Sequence, residues 1–525
     1  MGIWDFYFIA KLLFYFGHFT GFHVFENLAF AICLLIPLQH PRLKLARQAL
    51  AIPVGVALFY YDSWLPPVSR LLTMAPQISQ FDLAYLGELL GRLINLPLIA
   101  ALVLLYIAYF FARKKFRIST FVLIAMLLPL LPITGKSPDA PPPATASNPA
   151  PSLTSTAVEH TQPTDTELTA ALNTFYQRES TRSVTFTPPA KSDPAFDIIF
   201  LHICSLSRDD LKFTREQDNP LFKRFDIVFS NFNSAASYSG PAVIRLLRGS
   251  CGQPKHSVLY DPSAAACQTF NNLQQAGFEQ QFAMNHDGHY GDFIADVRKR
   301  GGMQAKLFDV QGAPPYLQSF DGTPVHDDYT VLSQWWNRRM QMPAERVALY
   351  YNSISLHDGN RYSGRRTTSS LEIYHPRMTR MLADIDQFLG TLQKSGRRAV
   401  VVFIPEHGAA VRGDKMQIAG LREIPSPHIT IVPVGIKLIG MSSKAAASPL
   451  LVPRPVSYLA LSQLLSDFIS FTPFGNNSLG LDEYLRDLPA TEFVAENEDV
   501  VVMQHGAQYF IRAQDAGWVE YDPSE

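Results

Sequence analysis

The run Val400-Val-Val-Phe-Ile-Pro-Glu-His-Gly408 constrains the fold more than any other stretch of this chain. Uninterrupted apolar residues that stop at an acid-histidine-glycine turn read as a strand buried on both faces of a parallel sheet. In open α/β sheets ligands bind outside the carboxyl ends of the strands. Glu406 and His407 therefore fall where a metal site would be built, and carboxylate oxygen and imidazole nitrogen both suit zinc. A surface turn with both side chains solvated fits the motif alone equally well, so other stretches must decide.

Around this run, short β-rich stretches alternate with amphipathic ones after Asp193. Strands are expected over 197–203, 225–230, 280–284, 347–354, 399–404 and 428–438, and helices over 241–248, 328–339 and 373–394. Such alternation predicts a layered α/β/α domain over residues 194–525, with helices on both faces of the sheet. The tail over 493–521 has short strand-like runs and is expected to form an edge hairpin.

The first quarter is different. A mean hydropathy near zero averages an apolar beginning with an ordinary soluble remainder. Residues 1–136 predict about five transmembrane helices, over 4–22, 25–38, 46–64, 96–111 and 119–133, some of them short for a crossing of ~20 residues. The mixed stretch 81–95 is expected at the membrane interface. No small-residue cleavage site follows the first span, so it does not read as a removed signal peptide. Arg42, Lys44 and Arg47 separate the second and third spans, and Arg113, Lys114, Lys115 and Arg117 the fourth and fifth. Both clusters belong in the cytoplasm by the positive-inside rule, which puts everything after Gly135 outside. Residues 137–193 are rich in Pro, Ala, Ser and Thr and read as a semi-extended linker, interrupted by a short helix over 167–178. Lys plus Arg, 45, nearly balances Asp plus Glu, 46, so charge gives no case for a nucleic-acid partner.

Cys204 ends the first strand of the soluble domain, at the edge where Glu406 and His407 lie. A lone cysteine is commonly a small buried hydrophobe. At a strand end opposite a Glu-His pair it is also a thiolate ligand, giving three of the four positions of a catalytic zinc. In Ser237-Tyr-Ser-Gly-Pro241, Pro241 suits a first helical turn and Ser239 or Ser237 an N-cap. Alternatively, Ser239 is a nucleophile at a helix N-terminus, whose amides favour phosphate, with the metal beside its oxygen. The arrangement leaves the two readings comparable.

Cys204, Ser-Tyr-Ser-Gly-Pro, His357 and Pro-Glu-His-Gly together resemble the BcsG-type cellulose phosphoethanolamine transferases of the alkaline phosphatase superfamily. The resemblance spans the membrane helices, the linker and most of the soluble domain, and is most specific over residues 231–248. Lipid A phosphoethanolamine transferases, in the same superfamily, usually carry glutamate, threonine and aspartate-histidine where this chain has Cys204, Ser239 and Glu406-His407. That departure weakens lipid A as acceptor. The resemblance implies zinc held by Cys204, Ser239, Glu406 and His407. It implies transfer of phosphoethanolamine from phosphatidylethanolamine, through a Ser239 adduct, to the glucose 6-hydroxyl of secreted cellulose. It also implies an inner-membrane anchor, a periplasmic catalytic domain and contacts with cellulose synthase subunits.

His357, after the strand 347–354, is the expected acid/base; lone strand-end histidines also serve structure. Tyr238 is placed to hydrogen-bond a phosphoryl oxygen, or else simply packs. Arg422 is a phosphate clamp or a surface ion pair. His286, His289 and His428 are weaker candidates for a groove or a second metal. In an oxidising compartment Cys251 and Cys267, at their spacing, are expected to form a disulfide, and Cys33 to be apolar filling within a span.

Three other functions fit parts of the pattern. Cys204-Ser-Leu-Ser-Arg208 resembles the sulfatase signature, but Leu206 stands where that signature has proline, and sulfatases favour calcium with oxygen ligands. A non-catalytic scaffold of the secretion complex would not need ligand residues and a nucleophile. A transferase of phosphoethanolamine or phosphoglycerol to another envelope glycan or lipid differs only in donor or acceptor.

Overall fold

The computed structural model describes residues 2–17, 20–63, 79–93, 96–130, 162–364, 369–441, 449–475, 478–513 and 517–523. The chain divides into two compact units: residues 1–71 with 94–163, and residues 72–93 with 164–525.

The first unit holds the helices Ile3–Phe16, Val24–Leu35, Pro41–Asp62, Leu96–Ala112 and Ile118–Ala125, with a 3-10 turn at Leu128–Leu130. Pro41–Asp62 is, among the described residues, the helix long and apolar enough to cross a membrane unaided; Val24–Leu35 and 118–130 are shorter apolar helices. Leu45, Leu50, Ile52, Val56, Leu104, Phe111, Phe121 and Ile124 are exposed. Apolar side chains in that number fit a lipid solvent, not water. One expectation changes. Arg42, Lys44 and Arg47 lie within the helix Pro41–Asp62 and not in a loop before it, because Pro41 starts the helix at its N-terminal turn. Cys33 lies exposed on the apolar helix Val24–Leu35. Parts of the spans predicted over 4–22, 46–64 and 119–133, and residues 137–161 of the linker, lie outside the described residues.

In the second unit the strands run β1 Asp197–Ile203, β2 Ile227–Asn233, β3 Glu279–Met284, β4 Pro315–Gln318, β5 Pro324–His326, β6 Val347–Ser353 and β7 Arg361–Tyr362. They continue as β8 Ala399–Pro405, β9 Ile431–Ile439, β10 Leu450–Val452, β11 Val494–Glu496, β12 Val500–His505, β13 Gln508–Ala513 and β14 Val519–Tyr521. Seven of them form the main sheet in the order β10-β2-β9-β8-β1-β6-β3. β8 pairs parallel with β1 and antiparallel with β9.

The expected α/β class holds, with helices on both faces. Along β1, Ile198 and Phe200 enter one apolar cluster, and Ile199 and Leu201 the other. Because side chains alternate with period two, both clusters fix the register, and a one-residue slip would exchange every core contact. Each such side chain contributes about 1.5–3 kcal/mol on burial. Register sets Ile203 opposite both Ser353 and Pro405, so β1, β6 and β8 end together. At the far end of β1, buried Asp197 accepts from Arg339 at 2.9 and 3.0 Å and from Arg397 at 2.5 and 3.1 Å.

Three boundaries differ from the sequence reading. The tail is no edge hairpin of the main sheet. β11 to β14 form a separate four-stranded sheet, which closes on the helix Asp165–Glu179 through Leu168, Leu172, Phe175, Val494, Val501 and Phe510. That helix carries a capping box of Thr164 and Glu167, so residues 164–193 fold with the soluble unit instead of serving as linker. The helix Leu83–Leu93, expected at the membrane interface, also belongs to the soluble unit.

Candidate metal centre and nucleophile

Cys204, Glu406 and His407 are fully buried, and their ligand atoms lie within 4.8 Å of one another. Each stands one or two residues past a strand, where the ladder ends and the chain turns. Leu206 N–H donates to His407 O at 2.6 Å and Glu406 N–H to Ile203 O at 2.8 Å, which ties the two turns edge to edge. Ser205 has φ 63°, the left-handed region that non-glycine residues enter at a cost of order 1 kcal/mol. Tyr374, whose hydroxyl donates to Ser205 O at 2.7 Å, holds it there. Gly408 is required by close approach, since a Cβ there would lie 2.6 Å from Ser207 Cβ and 2.8 Å from Asp210 Oδ2. Asp210 accepts from the backbone N–H of Ser207 at 2.9 Å and of Ala409 at 2.7 Å. Burial pushes its carboxyl up to about 6.

Ser239 Oγ lies 3.5 Å from Cys204 Sγ and 3.4 Å from His407 Nε2. Ser239 is the first residue of the helix Ser239–Leu247, and the N-cap is Tyr238, extended and without a side-chain cap. The capping alternative is therefore corrected for both serines. Ser237 Oγ donates to Arg422 O at 2.5 Å and accepts from Asn497 Nδ2 at 2.7 Å, which leaves Ser239 Oγ to face the cluster.

The cluster has the chemistry of a cation site. Burial pushes the Cys204 thiol up to about 12, with Glu406 adding to it. Burial likewise raises Glu406 and lowers His407 well below the usual imidazole value. Every member is thus driven towards its neutral form, and Glu406 Oε2 has no hydrogen-bond partner although buried. An orphaned carboxylate oxygen is costly in a protein interior. A dication inverts the local preference, since it deprotonates a coordinating thiol and takes up the free oxygen. The His407 ring is oriented for that role: Nδ1 lies 2.9 Å from Gly408 O, so the tautomer with the proton on Nδ1 presents the Nε2 lone pair to the cluster. In that tautomer the approach of Arg422 Nη1 to Nδ1, 3.3 Å, is a close contact and not a hydrogen bond.

Two residues of the site carried no signal in the motif reading. Asn352 Nδ2 donates to Glu406 Oε1 at 2.6 Å and fixes the carboxylate. His202 lies 3.6 Å from the same oxygen, and its Nδ1 is 2.9 Å from the Tyr350 hydroxyl. Its place two residues before Cys204 on β1, hence on the same face, was the available clue.

The other expected residues separate. His357 lines a cavity with Ser239, His286, Asp287, Tyr290 and Phe320, of about 450 Å³ including its open mouth. Its Nδ1 is 2.7 Å from Asp358 O, and burial, with Arg422 beside it, lowers its pKa to about 4. Arg422 is buried with Nη1 donating to Ser205 Oγ at 3.1 Å, so the surface ion-pair alternative does not hold. It lies 5.4 Å over the Tyr238 ring. Tyr238 donates its hydroxyl proton to Glu423 Oε1 at 2.6 Å, not into the cluster. His286 is in the cavity and pairs with Asn352 Oδ1 at 2.8 Å. His289 pairs with Asp287 and Asp321, and His428 with Asp209. Cys251 and Cys267 form the expected disulfide.

Residues 4–131 match the family model for the cellulose biosynthesis protein BcsG N-terminal domain, and residues 153–518 that for its C-terminal domain. The chain belongs to the BcsG family. BcsG proteins of Escherichia coli (strain K12) and Salmonella typhimurium are each 39% identical to it, over 99% of this chain and 96% of theirs. Solved structures resemble this chain more distantly. An alkaline phosphatase superfamily protein from Vibrio parahaemolyticus is 14% identical, with TM-score 0.49 over 67% of this chain and 88% of that one. The C-terminal periplasmic domain of EcEptC from Escherichia coli, in complex with Zn, is 14% identical with TM-score 0.42, covering 60% and 94%. Lipooligosaccharide phosphoethanolamine transferase A from Neisseria meningitidis is 12% identical with TM-score 0.42, covering 87% and 94%.

Proposed function

We propose that this chain is a zinc-dependent transferase that moves phosphoethanolamine from phosphatidylethanolamine to the glucose 6-hydroxyl of cellulose, through a covalent adduct on Ser239. The observation that carries the reading is the approach of Ser239 Oγ to both Cys204 Sγ and His407 Nε2, at 3.5 and 3.4 Å, at the start of a helix. Cys204, Glu406 and His407 would hold the zinc with Ser239 in the remaining position. When bound, the ion offsets charge on the phosphoryl oxygens and lowers the Ser239 hydroxyl pKa.

Ser239 Oγ forms a bond to phosphorus, and the bond from phosphorus to the diacylglycerol oxygen breaks. The helix N-terminus supports the anionic phosphoryl group with its amides, and Arg422 adds fixed positive charge close by. His357 is neutral at working pH because its pKa is lowered to about 4. It takes the Ser239 proton and passes it to the departing diacylglycerol oxygen. In the second half the incoming 6-hydroxyl gives its proton to His357 as its oxygen bonds phosphorus. Ser239 Oγ recovers that proton as it leaves, so the enzyme ends as it began.

A disulfide between Cys251 and Cys267 fits an oxidising periplasm, and an apolar N-terminal unit fits a lipid donor in the inner membrane. Docking to cellulose synthase subunits is the partnership such a product calls for. The test uses the full-length protein with phosphatidylethanolamine vesicles and a soluble cello-oligosaccharide, read by phosphorus NMR. Phosphoethanolamine on the sugar 6-position supports the reading; discharge of lipid without any sugar product places the acceptor elsewhere.

A further inference from the structure

The helix Leu83–Leu93 lies in sequence between helices of the other unit, yet it packs on the soluble unit. Tyr85, Glu88 and Arg92 recur at helical spacing and share one face, with Phe81 just ahead of the helix. Tyr85, Glu88 and Arg92 turn to Asp358 and Ser370, in the segment that follows His357, and Phe81 packs on Phe320. Arg92 grips Asp358 with both ends of its fork, Nη1 to Oδ2 at 2.6 Å and Nη2 to Oδ1 at 2.8 Å. Tyr85 donates to Asp358 Oδ2 at 2.9 Å, and Ser370 Oγ to Oδ1 at 2.6 Å. Glu88 Oε1 accepts from Arg92 at 2.6 Å and from Ser370 N–H at 2.8 Å.

Asp358 is the residue whose carbonyl receives His357 Nδ1. The His357 ring packs on Phe320, with centroids 4.7 Å apart, and Phe320 in turn packs on Phe81 at 5.4 Å and Tyr85 at 6.1 Å. The backbone is shaped for this approach. Gly359 has φ +81°, and a Cβ there would lie 2.5 Å from Phe320 Cβ and 2.9 Å from the Tyr85 ring. Docking alone does not need such a network. Apolar side chains of similar volume hold two surfaces together as well as a buried ion pair does, without its desolvation cost. A bidentate pair adds direction, and here the direction passes to the next residue along, His357.

We propose that Arg92 and Tyr85 are positioning residues for phosphoethanolamine transfer, which act through Asp358 to set the His357 ring, so that a helix encoded between the membrane spans completes the catalytic centre. This rests on the reading of His357 as the proton shuttle. The experiment measures discharge of phosphatidylethanolamine by the full-length protein in lipid nanodiscs while the donor fraction is varied. Arg92→Gln is expected to lower kcat by about 10- to 100-fold with KM little changed, the mark of a misplaced group and not of lost substrate binding. Asp358→Asn should do the same, the double variant should be no worse than the worse single, and Arg92→Lys should recover part of the loss. Bound zinc and melting temperature report the fold. If Arg92→Gln loses either, Tyr85→Phe carries the test, with a several-fold fall in kcat expected. A kcat within about twofold of wild type in Arg92→Gln, or losses that multiply in the double variant, would overturn the proposal. An unchanged kcat in Tyr85→Phe does the same. A wild-type protein that discharges no lipid sinks the transferase reading instead, a result distinct from variants that match an active wild type.

Discussion

Ser239 is the residue whose surroundings say most, because the two hydroxyls that precede it in the chain are committed elsewhere. Ser237 is bonded to Arg422 O and Asn497, and Tyr238 to Glu423. Ser239→Ala should therefore abolish transfer while zinc content and thermal midpoint stay close to wild type, checked by assay and calorimetry side by side. Asn352→Leu removes the donor 2.6 Å from Glu406 Oε1. It should weaken zinc binding by about 10- to 100-fold, as loss of outer-shell partners does, in a competition titration with a chelating dye. Cys204, Ser239, Glu406 and His407 were legible in the sequence because each follows an apolar strand or precedes a patterned helix. Asn352 and His202 were not, because their roles depend on which strands neighbour one another, and hydrophobic pattern carries no pairing information for a strand buried on both faces.

At the scale of elements, β1, β6 and β8 were readable from their apolar runs, and the helix Asp328–Arg339 from its pattern and its Asp327 cap. Two elements were misplaced for one reason: their amphipathic faces meet partners distant in the chain. The helix Asp165–Glu179 buries Leu168 and Phe175 against β11 to β13, and Leu83–Leu93 turns its polar face to Asp358. The Asp358 link has a pH signature. Burial raises its carboxyl, but Arg92, Ser370 and Tyr85 outweigh that and hold it well below the usual carboxylate range. A depressed carboxyl contributes stability that is present above its unfolded value, ~3.9, and lost as pH falls towards the folded value. Amide protection factors in Leu83–Leu93, with the intrinsic pH dependence of exchange divided out, should stay constant above about pH 5 and fall below about pH 4, and Asp358→Asn should remove that dependence. The disulfide of Cys251 and Cys267 closes a separation of 16 residues just after the nucleophile helix. Replacing both by serine should cost about 3 kcal/mol in urea unfolding of the protein.

For the whole molecule, composition had already separated an apolar quarter from an α/β remainder, and the two units follow that division except at residues 72–93, which join the soluble unit. The account comes down to one convergence: a thiol, a carboxylate, an imidazole and a serine hydroxyl from two strand ends and one helix start meet at a single point. Removing zinc with a chelator should stop transfer and its return should restore it, with the soluble unit still folded by circular dichroism. The most direct measurement is intact-mass and peptide mapping of the full-length protein after incubation with phosphatidylethanolamine and no sugar acceptor. The account predicts one phosphoethanolamine on Ser239, absent from Ser239→Ala and from zinc-free protein. A phosphoethanolamine group on any other residue, or none while lipid is consumed, would contradict it.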